Sequence, residues 1–166
     1  MNTIPALTAE ELLAWNDSTA QRWFTFLADH PAVLDLPCDI HDAKTVRLFL
    51  QHIAAAQLRH AERLAGLPIS DYDSVPCATV DDLLAAHTRA LDLLRSTLAD
   101  PAIDWASTME FTTLTAGRRR SARRTILFHA LLHGIRHYAQ LATLTRQAGH
   151  PAPISGDYLF MDAHPA

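Results

Sequence analysis

Punctuation constrains this chain more than any other feature. Four stretches carry apolar side chains at helical spacing, and each runs into a proline or glycine that closes it. Thr8 with Glu11 three residues on is a capping-box pair, so a helix is predicted from there to about His30, where Pro31 stops it. Leu12, Leu13, Trp15, Trp23, Phe24 and Leu27 give that helix a broad apolar face. A second helix is predicted from Asp42–Thr45 to Ala65, with Gly66 at its end and Pro68 beyond. Thr79, with Asp82 three residues later, opens a third that ends near Asp100, before Pro101. The fourth runs from about Ala122 to Ala148, closed by Gly149 and Pro151.

Between the third and fourth helices, Thr108 to Thr115 alternates weakly and meets Ala116-Gly117, which suggests a short hairpin or an irregular crossing. The tail, Ile154 to Ala166, offers only Tyr158, Leu159 and Phe160 as anchors. The expectation is therefore an all-α chain: one four-helix-bundle domain over residues 1–166 with long crossover loops. A chain of 166 residues can bury a core of its own without disulfide or metal staples.

The formal net charge of −4 argues against a general nucleic-acid binder, whose phosphate contacts need a positive surplus. No apolar run approaches the length of a membrane span. Met1 to Ala14 is acidic and has no signal-peptide pattern, and Cys38 and Cys77 are too few for a disulfide framework. A cytoplasmic protein is expected, with both thiols free and inert. One local basic run stands out, Arg118-Arg119-Arg120 with Arg123-Arg124. It reads as a solvated patch, or else as an anchor for carboxylate or phosphate groups of a cofactor.

Ten histidines accompany a single lysine, Lys44. On a helical wheel of the fourth helix His129 sits with Arg136, Gln140 and Gln147 on a polar edge. His133 lies about 40° and His137 about 80° round from it, among Ile126, Ala130, Leu141 and Leu144. The rest of the wheel is largely apolar, so this helix is expected to be buried nearly all round. Two buried imidazoles on consecutive turns need partners, and their i, i+4 spacing suits two ligands of one ion. Zinc and its neighbours accept neutral imidazole nitrogens at roughly 2.0–2.1 Å. The competing reading is a pair of core histidines bonded to nearby carbonyls or hydroxyls. On the second helix, His60 lies inside the apolar face and His52 at its border, so periodicity slightly prefers His60 as a third ligand and leaves His52 open. The run His133-Gly134-Ile135-Arg136-His137 has the histidine spacing of a zinc protease, but Gly134 stands where the catalytic Glu would be. Glu-x-x-His motifs of a di-iron site do not occur.

Two segments resemble the DinB-like metalloprotein superfamily. Leu48-Phe49-Leu50-Gln51-His52-Ile53-Ala54 is similar to its second-helix pattern of an apolar run, His, an aliphatic and a small residue. Leu127-Phe128-His129-Ala130-Leu131-Leu132-His133-Gly134-Ile135-Arg136-His137-Tyr138-Ala139-Gln140-Leu141, continuing to Arg146-Gln147-Ala148-Gly149, resembles its last-helix signature. The resemblance implies a four-helix bundle with two long crossovers and a water-accessible site of three histidines: His52, His133 and His137. His60 then becomes a neighbour or core histidine, and His129 is not a ligand. Two positions depart from the pattern: Arg136 stands where a second His is common, and Tyr138 where an Arg is common.

Relatives of this kind include thiol S-transferases and isomerases. The resemblance thus implies a divalent ion, zinc or nickel first, a low-molecular-weight thiol and a small-molecule substrate. No protein base can be named. A non-enzymatic metal-binding or stress-response bundle is the alternative, and a homodimer is an open expectation.

Overall fold

The computed structural model of the chain describes residues 6–113, 117–152 and 156–163. Helices α1 (Ala9–Asp29), α2 (Val46–Leu64), α3 (Val80–Ala99) and α4 (Arg123–Gln147) form the framework. Strands β1 (Thr108–Thr113) and β2 (Gly117–Ala122) precede α4, so the all-α expectation is corrected by a small antiparallel sheet. The turn of that hairpin, residues 114–116, lies outside the described residues, as do 153–155 and 164–166 of the tail. No helix of the described residues is long and apolar enough to cross a membrane.

Local chemistry explains the helix ends. Thr8 Oγ1 accepts from the Glu11 amide at 3.1 Å, while the Thr8 amide donates to Glu11 Oε2 at 2.7 Å. Thr79 and Asp82 repeat the reciprocal pair at 3.1 and 2.9 Å. Thr45 caps α2 alone, accepting from Leu48. At the other end of α2, Gly66 takes φ +71°, and the amides of Gly66 and Leu67 donate to the carbonyls of Arg63 and Glu62. Helix α4 has no side-chain cap. Its first amides, Arg123 and Arg124, donate instead to the carbonyls of Ser107 and Trp105, at the root of the hairpin. The hairpin is thus the N-terminal cap of α4, which the sequence carries in no single residue.

Helix α2 packs against α3 and α4, and α1 against the same two. The α1–α2 and α3–α4 connections therefore cross diagonals, which is why both are long. Within this ring the apolar core falls into two halves. Trp23, Phe24, Leu27, Phe49, Ile53 and Leu141 belong to one, and Leu58, Leu64, Leu91, Leu94, Leu127 and Leu131 to the other. A layer of fully buried polar side chains stands between them. Asn16 Nδ2 donates to the Leu131 carbonyl at 2.8 Å, and Gln57 Nε2 donates to Asn16 Oδ1 at 2.7 Å. His87 Nδ1 donates to Gln57 Oε1 at 2.9 Å, so every helix is tied into one chain of hydrogen bonds.

Two sequence expectations need correction. Helix α4 is not buried all round: His129, Leu132, Arg136 and Ala139 face solvent, with Leu132 47 % exposed. The 3.6-residue wheel over-weighted alanines and leucines that sit on the outer face. In the tail, Leu159 and Phe160 are exposed rather than pinned. Only Tyr158 of the three makes a ring contact, edge-on against Trp15, whose Nε1 donates to the Gly156 carbonyl.

Gly134 faces the polar layer. A Cβ there would stand 2.6 Å from Asn16 Nδ2, an atom already committed to Leu131 and unable to swing away cheaply. Gly134→Ala should therefore destabilise the protein by about 1–3 kcal/mol from overpacking, offset by roughly 1 kcal/mol of helix propensity. Denaturant titration checks this; a variant as stable as the parent would mean that α1 and α4 do not approach this closely.

Candidate metal centre

Because α2 and α4 are neighbours, a histidine on the border of the apolar face of α2 can reach a stacked pair on α4. The structure brings His52, His133 and His137 together, each offering a ring nitrogen within 4.8 Å of the others. Ring centroids of His52 lie 5.2 Å from both His133 and His137, and those two are 4.3 Å apart. His137 is buried, while His52 and His133 are half-buried. The three could hold a metal ion.

The hydrogen bonds aim the lone pairs inward. His137 Nδ1 donates to Gln140 Oε1 at 2.6 Å, which leaves its Nε2 bare. That Nε2 lies 3.0 Å from His133 Nε2 and accepts from Arg136 Nη2 at 3.0 Å. His52 Nε2 is buried and has no partner among the described residues. An orphaned buried nitrogen facing two others is costly in a neutral protein and natural in a ligand set. Tetrahedral bonds of about 2.05 Å would space the nitrogens roughly 3.3 Å apart, between the 3.0 Å observed for one pair and the 4.8 Å limit for all three. The residues present fit one ion.

Burial keeps these rings neutral. It pulls His52 down to about 4, helped by the charges of His41, His137 and Arg136. His133 is pushed far below the ordinary histidine range by burial and by His137, His52, His129 and Arg136. His137 is also lowered, chiefly by burial, against an opposing hydrogen bond from Gln140. Neutral imidazole is the form that a metal requires.

His60, the other option on α2, points elsewhere. Its Nδ1 accepts from Arg63 Nη1 at 3.0 Å, and its ring meets His129 at 5.3 Å. His129 itself is exposed, 5.5 Å from the ring of His133. Sequence reasoning passed over His41, whose ring stands 4.1 Å from that of His52. It occupies the left-handed region at φ 55°, costly for a histidine, in the loop leading into α2. Nothing but its position before that helix signalled it.

A cavity of about 310 Å³ opens beside the three histidines, and His41, His52, His133, Arg59, Arg63 and Arg136 are among the residues that line it. Tyr72 lies in it too, stacked on His52 and under the guanidinium of Arg59. The basic run singled out in the sequence is not here. Arg118 and Arg120 both bond Glu110 across the hairpin, and Arg119 donates to its neighbour's carbonyl. Arg123 reaches the Leu64 carbonyl. Of the two departures, Arg136 lines the cavity, whereas Tyr138 is buried and stacks on Trp23. Cys38 and Cys77 are free, and burial raises both thiols away from the reactive thiolate form.

The model of the DinB family matches residues 1–165 of the chain. No curated protein matches it.

The lowered histidines set an acid limit on the metal-free fold. Burial, and then Arg63, pull His60 down to about 3 from the ordinary histidine value of 6.5. Between those values the unfolded chain binds the proton and the folded one does not, so stability falls as pH drops below 6.5. From pH 7.5 to pH 5, His60 alone should remove on the order of 1–2 kcal/mol, in a window above the carboxylates. Urea unfolding at the two pH values reads this. Comparison with His60→Ala isolates its share, and an equal pH response in the two proteins would show that His60 is protonated in the folded protein.

Proposed function

The chain belongs to the DinB family, and on that premise we propose that it is a metal-dependent transferase or isomerase working with a low-molecular-weight thiol. His52, His133 and His137 hold one divalent ion, zinc or nickel, and a small-molecule substrate enters the cavity beside them. The observation that carries the reading is the convergence of three neutral imidazole nitrogens, one of them buried and unpartnered, at the edge of an open cavity.

Three protein ligands are the catalytic rather than the structural pattern, since they leave a position for an outside atom. An ion held there would supply Lewis acidity, drawing a thiol sulfur into its thiolate form at neutral pH. The protein's own part is positioning. Gln140 fixes the tautomer and angle of His137, and the α2–α4 contact sets His52 against the pair. Gly134 packs against Asn16, so the place of a protease's catalytic Glu is occupied by a helix contact, and peptide hydrolysis is not the chemistry. The thiol half of the reading rests on the family and the metal half on these residues.

Protein purified without chelator should carry near-stoichiometric metal by elemental analysis. His52→Ala, His133→Ala and His137→Ala should each lose it, whereas His60→Ala and His129→Ala should keep it. Full metal content in His133→Ala would sink the ligand assignment. A turnover screen with low-molecular-weight thiols and electrophiles tests the second half; metal without turnover would move the protein to the non-enzymatic metal-binding reading. Chelation at pH 7.5 should leave helical circular dichroism largely intact, because the two halves of the apolar core hold the four helices together without the ion. Loss of helicity on chelation would instead indicate a structural ion.

A further inference from the structure

The cavity beside the histidines is cationic and has no counter-charge of its own. Arg59, Arg63 and Arg136 line it, and none of the residues lining it is Asp or Glu. Among the described residues, the arginine–carboxylate pairs engage Arg47, Arg89, Arg95, Arg118 and Arg120, and none engages these three. Glu62, beside Arg63 in sequence, is fully buried on another face. It accepts from the amide and hydroxyl of Ser70 at 2.8 and 2.7 Å and from Arg89 at 3.2 Å.

Arg63 is the informative residue. Only 9 % of it is exposed, yet its contacts are a neutral histidine and an aromatic face, His60 Nδ1 at 3.0 Å and the Phe111 ring at 5.5 Å. A guanidinium taken out of water without a carboxylate is expensive. Elsewhere Arg89 and Arg95 have acid partners and Arg47 bonds Asp35 and two carbonyls, whereas Arg123, outside the cavity, has only the Leu64 carbonyl. Arg136, on the exposed rim of the cavity, also lacks an acid partner among the described residues. Its one hydrogen bond goes to His137 Nε2, the lone pair that an ion would take, after which its fork is left for another acceptor.

We infer that this cavity binds a small organic anion, whose carboxylate or phosphate oxygens are gripped by Arg63 and Arg136 while the rest of the molecule faces His52 and His133. Arginine's planar fork matches either oxyanion in a two-point contact. A volume of about 310 Å³ is at the lower end of the range for small-molecule sites, which excludes a folded partner. The basic hairpin is not an equivalent site, because Glu110 already neutralises Arg118 and Arg120. The inference names the substrate class for the cavity of the proposed metal site and so rests on that reading, but its anion half can be measured without metal.

The experiment is calorimetric titration of succinate and, separately, inorganic phosphate into the metal-loaded and the metal-free full-length protein, in a buffer free of both. At least one anion should bind, and the one preferred identifies carboxylate or phosphate as the group recognised. Arg63→Met and Arg136→Met should each weaken that binding about tenfold or more with metal content unchanged, and Arg118→Met should leave it as in the parent. Arg136 is exposed, so its variant keeps the test readable if Arg63→Met does not fold. No binding of either anion, or binding untouched by Arg136→Met and by a folded Arg63→Met, overturns the inference. Arginine-dependent anion binding by a protein that takes up no metal would uphold it and remove the metal reading instead.

Discussion

The arrangement depends on one buried chain of hydrogen bonds, Leu131 carbonyl to Asn16 to Gln57 to His87. Four helices with apolar faces can slide and rotate against each other at modest cost, because hydrophobic burial is not directional. An amide whose donors and acceptors must all be met allows few alternatives. Asn16 reads the Leu131 carbonyl only if α4 lies at one height and rotation, and Gly134 lets it come that close. Leu131 and Gly134 flank His133, so the contact that sets α4 against α1 also sets the imidazoles toward α2. The site is therefore placed from behind, by groups that never touch what it binds.

Much of the framework was legible in the sequence, and for identifiable reasons. Thr8 with Glu11 and Thr79 with Asp82 are local devices, so residues three apart announced α1 and α3. Gly66 and Gly149 take positive φ where the helix ends were expected. The pair His133 and His137 was legible because helical spacing alone puts both on one side of α4. Periodicity did not settle His52 against His60, since His60 lies inside the apolar face of α2 and His52 at its border; only the resemblance pointed to His52, because the question is which side of α2 meets α4. That is a tertiary fact, and the structure sets His52 beside the pair and His60 beside Arg63 and His129.

Other features were hidden for the same reason. The cap of α4 is made of carbonyls at the root of the hairpin, which have no side-chain signature. The arginines drew attention where they are consecutive, at 118–124, but adjacency in sequence brought them opposite Glu110 and into solvent. Arg59, Arg63 and Arg136 come from two helices and look unremarkable one by one. Their meaning appears only when α2 and α4 are set side by side and a shared cavity is left between them.

That cavity also explains a contrast between the two sides of α2. Toward α1 and α3, the buried polar groups of α2 have protein partners: Gln57 has Asn16 and His87, and Glu62 has Ser70 and Arg89. Toward the cavity the opposite holds. His52 Nε2 has no acceptor or donor, Arg63 has no acid, and His41 is held in a backbone conformation that a histidine rarely adopts. Such costs persist where the surrounding structure over-determines them, and they cluster at binding and active sites. The amide and carboxylate partners of α2 are met by protein, while the ring of His52 and the guanidinium of Arg63 face a cavity without an acid. The two proposed occupants address these groups separately, a cation among the lone pairs and an anion among the guanidiniums.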